Sequence, residues 1–156
     1  MLKIRIITIG KDKDSWVTAG CAHYLTLLKK HAEVRIVTVP VAKATPSLSA
    51  QEIRAREAEL LKKHLGKGLT IALTDAGKKF DSHAFAQQLE GWHTTSGGQV
   101  SFLIGGPHGL DAELIERADA SISLSPMTFS HQLVRLVLLE QLYRAFSIIS
   151  GSPYHK

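Results

Sequence analysis

Five short apolar runs, each separated from the next by a stretch of helical spacing, constrain the fold of this chain more than any other feature. Leu2 to Ile9 is rich in Ile, carries Lys3 and Arg5 on one side and ends at Gly10; Val34 to Val39 ends at Pro40. Leu69 to Thr74, Val100 to Ile104 and Ser121 to Leu124 repeat the pattern. Runs of this length and composition read as strands, and strands apolar on both faces belong to parallel sheets. Helices are predicted between them over Ser15 to Lys30, Ser49 to about Leu65, Ser82 to Trp92 and Asp111 to Arg117. Ser49 with Glu52 three residues on has the spacing of a capping box, which satisfies two backbone donors at a helix start. Val41 to Leu48 reads as a loop and Asp75 to Asp81 as a Gly/Lys turn. The expectation is one α/β domain over residues 1–156, a mostly parallel sheet with helices on both faces.

In such sheets ligands gather at the carboxyl ends of the strands. Three loops leave those ends: one after Leu73, one from Gly105 to Gly109 and one around Ser125 to Phe129. The run Ile104-Gly105-Gly106-Pro107-His108-Gly109 is either a place where backbone approaches a ligand or a tight turn needing positive φ. Eight histidines are scattered without metal-ligand spacing, so no metal is expected. No GxSxG occurs, and Ser130 beside His131 does not make a nucleophilic pair, because adjacent helical residues point apart. The single cysteine, Cys21, excludes an internal disulfide and is expected to be a buried small hydrophobe in a reducing compartment. The first ten residues are too charged for a signal peptide and no run approaches the ~20 apolar residues of a membrane span, so a cytoplasmic protein off the membrane is expected. A formal charge of +5 favours an anionic partner, with nucleic acid the commonest.

The last predicted helix, His131 to about Ile149, is apolar over far more than one face. A helix of that kind must be covered on several sides. The sheet covers one; a second subunit in a twofold homodimer, or a covering loop, takes the rest. Glu140 and Arg144 are spaced to pair. Gly151 ends the helix and leaves Ser152 to Lys156 as a tail, which by composition alone could fray.

In this order, IGGPHG, SLSPMTFSHQLVRLVLLEQLYRAFSI and the terminal PYHK, with Leu73 closing a strand, resemble the SPOUT-class methyltransferases. The likeness is greatest to the small bacterial family that methylates N3 of a pseudouridine in large-subunit ribosomal RNA, and it spans essentially the whole chain.

The resemblance implies a C-terminal trefoil knot, S-adenosyl-L-methionine as methyl donor, and a homodimer with both active sites at the subunit interface. It maps the donor site onto Leu73, Gly105 and the segment Leu124, Ser125, Pro126, Met127, Thr128, Phe129, where backbone contacts rather than the Pro126 ring matter. For the acceptor, His155 is the candidate base and Tyr154 the residue that orients or stacks on the nucleobase. Arg144 and Arg135 are candidates for phosphate or developing imidate charge, and His131 for shaping the pocket; each is alternatively structural. Substrate recognition is expected from Lys and Arg of both subunits, acting on large-subunit ribosomal RNA in the assembled ribosome. The competing readings are a methyltransferase for another RNA base and a non-catalytic RNA-binding or assembly protein that retains the pocket.

Overall fold

A computed structural model describes residues 1–41 and 45–156. It contains β1 (Leu2–Ile9), α1 (Ser15–Leu28), β2 (Ala32–Val39), α2 (Ala50–Lys62), β3 (Leu69–Lys79), α3 (Ser82–Thr95), β4 (Gln99–Ile104), α4 (Ala112–Arg117), β5 (Ala120–Ser123) and α5 (His131–Ile149). The strands form one sheet in the order β2-β1-β4-β3-β5, and every pairing is parallel. Parallel neighbours cannot be joined by a hairpin, which is why a helix intervenes at each step.

Successive residues of a strand face opposite sides, and β1 shows this clearly. Leu2, Ile4 and Ile6 join a core with Val17 of α1, Phe85 and Leu89 of α3 and Leu138 of α5. Ile7 and Ile9 join a second core with Ala58 and Leu61 of α2 and Leu114 of α4. The helices therefore cover both faces, as the strand composition predicts. Cys21 is 3% exposed within the first core, and burial with nearby Asp12 pushes its thiol pKa up to about 11. A thiol so protonated is a packing group, not a nucleophile.

The capping box at α2 is formed: Ser49 Oγ accepts the Glu52 amide at 3.1 Å and Glu52 Oε2 accepts the Ser49 amide at 2.6 Å. Of the loop expected over 41–48, residues 42–44 lie outside the described residues; Leu48 donates to the Thr45 carbonyl at 3.0 Å. The turn expected over Asp75 to Asp81 is a correction, because β3 continues to Lys79. Both Leu73 and Lys78 pair with Ile122, so Thr74 to Gly77 bulge out of the ladder and pairing then resumes. Gly77 allows this, since a Cβ there would sit 2.7 Å from the Ile122 Cα.

Helix α5 buries Leu138, Leu139, Leu142 and Ala145 to 1% exposure or less. Its neighbours are α1 and α3. Leu133 and Val137, one turn apart, stay only half-buried and belong to neither core. No helix among the described residues is long and apolar enough to cross a membrane.

Candidate active site

A cavity of about 680 Å³ opens at the carboxyl edge of the sheet, within the ~300–1,000 Å³ range of small-molecule pockets. The β3 bulge contributes Leu73, Thr74 and Asp75 to its wall. The turn after β4 contributes Gly105 to Leu110, and the β5–α5 loop contributes Leu124, Ser125 and Met127 to Ser130. His131 and Val134 enter from the first turn of α5, and Arg54 from α2. Of the residues mapped to the donor site, Leu73, Gly105, Leu124, Ser125, Met127, Thr128 and Phe129 thus meet at one place; Pro126 is not in the lining.

Local hydrogen bonds fix both loops. Gly106 and Gly109 pair across the turn, with the Gly109 amide donating to the Gly106 carbonyl at 2.9 Å, and Gly109 takes φ +80°. Gly105 is required by close approach: a Cβ would lie 2.6 Å from the Gly109 carbonyl oxygen and 2.8 Å from the Leu110 amide nitrogen. The β5–α5 loop is closed by Ser123 Oγ on the Ser125 carbonyl at 2.8 Å and by the Met127 amide on Ser125 Oγ at 3.0 Å. Ser130 then caps α5 through the Leu133 amide. Such a wall of glycines, apolar side chains and oriented backbone groups suits an adenosine-sized ligand. Replacing Gly105 by Val is accordingly expected to displace the turn and weaken S-adenosylmethionine binding by about tenfold to a hundredfold. Calorimetry checks this, and wild-type affinity would remove the turn from the donor site.

His131 holds its imidazole pKa below the usual range, through burial first and then the charges of Arg135 and Lys13. It is a neutral ring in the pocket wall. Arg135, a candidate for phosphate or imidate charge, is fully buried in this chain and is not in the cavity lining. Its guanidinium donates to Asp12 Oδ1 at 2.6 Å and to the Ile9 and Gly10 carbonyls at 2.7 and 2.8 Å. The arginine ties the end of β1 to α5 through its two Nη atoms, and its Nε has no partner among the described residues.

The tail is docked. Tyr154 donates to Glu140 Oε1 at 3.0 Å, lies 3.4 Å from the Tyr24 hydroxyl and packs edge-on against Tyr143. Burial, with the Tyr24 and Glu140 hydrogen bonds, pushes its phenol far above the usual range, so it is a permanent donor. Arg144 holds Glu140 twice, at 3.1 and 2.6 Å, and its Nη1 is 3.2 Å from His155 Nδ1. Arginine only donates, so Nδ1 accepts and the imidazole proton sits on Nε2. Tyr154, Arg144 and His155 form one cluster, but not with the pocket. His131 and Arg144 are thirteen positions apart on α5 (131 to 144), which is about 20 Å of helix.

Sequence reasoning did not single out Thr74, at the end of an expected strand, Asp75, at the start of the supposed turn, or Arg54 of α2. Gly106, His108 and Gly109 were visible as a motif, but only the side-chain contacts show which of them line the wall.

Parallel strands with crossover helices and a small-molecule cleft at their carboxyl edge define an α/β enzyme of the ligand-binding, doubly covered kind. The chain belongs to the SPOUT methyltransferase family, whose description, "Predicted SPOUT methyltransferase", matches residues 2–155. It is 42% identical over 159 aligned residues to the "Ribosomal RNA large subunit methyltransferase H" of Acetivibrio thermocellus, covering 99% of this chain and 100% of that protein. The protein of the same name from Bacillus cereus is 43% identical with the same coverage. Among solved structures, a probable methylase family protein from Haemophilus influenzae superposes with TM-score 0.57 at 14% identity, over 98% of this chain and 70% of that one. A probable methyltransferase from Bordetella pertussis gives 0.55 at 17%, over 92% and 96%. At these identities the structural likeness concerns the fold.

Proposed function

We propose that this chain is an S-adenosylmethionine-dependent methyltransferase acting on N3 of a pseudouridine in 23S ribosomal RNA, as a cytoplasmic homodimer working on the assembled ribosome. The observation that carries the reading is the full-length match, at about 40% identity, to proteins named for methylation of large-subunit ribosomal RNA. A trefoil knot in the C-terminal part belongs to the same reading, by resemblance.

The pocket supports the donor. S-adenosylmethionine supplies an electrophilic methyl group on a sulfonium, and the Gly105 to Gly109 turn with the Leu124 to Phe129 loop are the residues suited to hold its nucleoside. Positioning of donor against acceptor can account for roughly 7–11 kcal/mol of the barrier. On the acceptor side, N3 of a pseudouridine must lose its proton as it gains the methyl group, and negative charge spreads onto the flanking carbonyl oxygens. His155 offers an N–H at Nε2 with the Arg144 guanidinium behind Nδ1. We therefore assign this pair to hydrogen-bond and neutralise the developing imidate, with the N3 proton passing to solvent water, rather than His155 to remove the proton.

The dimer is supported by two observations. Leu133 and Val137 form a half-open apolar strip on α5, and Arg144 of the tail cluster is ten positions (134 to 144), about 15 Å along the helix, from Val134 in the pocket of its own chain. Crossing two α5 helices would cover the strip and bring each tail to the other chain's pocket.

The test is mass spectrometry of 23S ribosomal RNA from cells lacking the gene. One methyl group is expected to be missing from one pseudouridine and to be restored by purified protein, donor and ribosomes. A missing methyl on another base or on transfer RNA would redirect the substrate, and donor binding without methyl incorporation would make the protein a non-catalytic binder.

A further inference from the structure

One carboxylate is buried beside the pocket without a cation bonded to it among the described residues. Glu57, on the inner side of α2, is 2% exposed, and its Oε2 has no hydrogen-bond partner among those residues. An acid so placed is unfavourable unless something uses it. Its helix neighbours Arg56 and Glu59 are exposed, so the burial is particular to this position.

What the carboxylate faces is the back of the glycine turn. A Cβ on Gly106 would come 3.0 Å from Oε2 and 3.3 Å from Oε1, so the missing side chain is what lets backbone and carboxylate meet. From β1 the neighbour is Ile9, whose Cγ2 lies 3.3 Å from the same point. Burial pushes the Glu57 carboxyl above its usual range, opposed by the charge of His108 and a hydrogen bond with the Gly106 backbone. Arg54, one turn earlier on α2, donates to the His108 carbonyl at 3.3 Å. Helix α2 thus grips the turn at two points, Arg54 within the cavity lining and Glu57 behind it.

We propose that Glu57 is a positioning residue of the methyl-donor site: its carboxylate holds the Gly106 backbone, and so sets the Gly105 to Gly109 turn in the form that receives the donor. This rests on the reading of the cavity as the S-adenosylmethionine site. A side chain needed only to fill space would serve better as an apolar one of similar volume.

The test uses E57Q, which keeps the shape, and E57A, which does not. Calorimetric affinity for S-adenosylmethionine is expected to fall about tenfold in E57Q and further in E57A, with kcat at saturating donor within about twofold of wild type. Stability should move the other way. A carboxyl whose folded pKa is raised stabilises fully below the unfolded value and loses that contribution as pH rises through the folded value. The thermal midpoint of E57Q, which does not titrate, should therefore equal or exceed that of wild type, by a margin that grows as pH rises above the ordinary carboxylate range. Equal donor affinity in wild type and E57Q overturns the role of Glu57 alone. A fall in affinity matched by a fall in thermal midpoint makes the residue structural and overturns it too. Wild-type protein that does not bind S-adenosylmethionine overturns the donor reading and this proposal with it.

Discussion

Removing Tyr154, His155 and Lys156 is expected to lower ribosomal RNA methylation by about a hundredfold to ten-thousandfold while leaving S-adenosylmethionine affinity within about twofold. The separation follows from α5, which acts as a rod. Its first turn places His131 in the donor pocket, and its last turns hold the tail through Glu140 and Arg144. A rigid helix cannot bring its two ends together, so on the dimeric reading the tail serves the pocket of the other protomer. Mixed dimers make this measurable. Pairing a truncated protomer with one carrying Gly105→Val leaves one site with an intact pocket and an intact tail, and methylation should return to about half the wild-type rate. If each tail served its own chain, the mixed dimer would be as inactive as both parents. Full activity of the truncated protein alone would show the tail to be idle.

The fold was largely legible because the strands are short, apolar and separated by well-spaced helices, and because Ser49 and Glu52 announce a helix start by chemistry that needs no tertiary context. What was not legible depends on contacts distant in sequence. The extension of β3 through Lys79 reads as a turn, since Gly77 and two lysines carry no strand signal. Only the approach of Ile122 shows that the glycine makes room for a neighbouring strand. Glu57 was hidden for a related reason. It sits in QEIRAREAELLKK, where charges occur on every side, and periodicity alone does not say which of them the sheet will cover. The donor loops were identifiable as loops at strand ends, whereas the assignment of Leu124 to Phe129 and of the tail came from resemblance, because neither segment has a composition that points to a ligand.

Arg135 is the site candidate with the most deeply buried side chain. An arginine in a predominantly apolar helix of an RNA-modifying family suggests a phosphate contact, yet its side chain is enclosed and its bonds go to Asp12 and two carbonyls at the end of β1. Breaking a buried pair by removing one partner strands the other charge, so Arg135→Ala is expected to cost about 3–5 kcal/mol, read from urea unfolding. That is a large part of the ~5–15 kcal/mol by which domains are usually stable. Arg135→Met should recover the packing but not the whole loss, because the Ile9 and Gly10 carbonyls would still lack their donor. The effect should also reach the ligand. Gln132 bonds the Lys11 carbonyl at 2.9 Å and its Oε1 accepts the Lys13 amide at 3.3 Å, so the β1–α1 loop and the first turn of α5 are held as one unit. Loosening that unit shifts His131 and Val134 in the pocket wall, and donor affinity of Arg135→Met should fall at temperatures where the protein is still folded. Methylation lost at wild-type stability and wild-type donor affinity would return Arg135 to the RNA, and the buried geometry would then describe only a resting arrangement of this side chain.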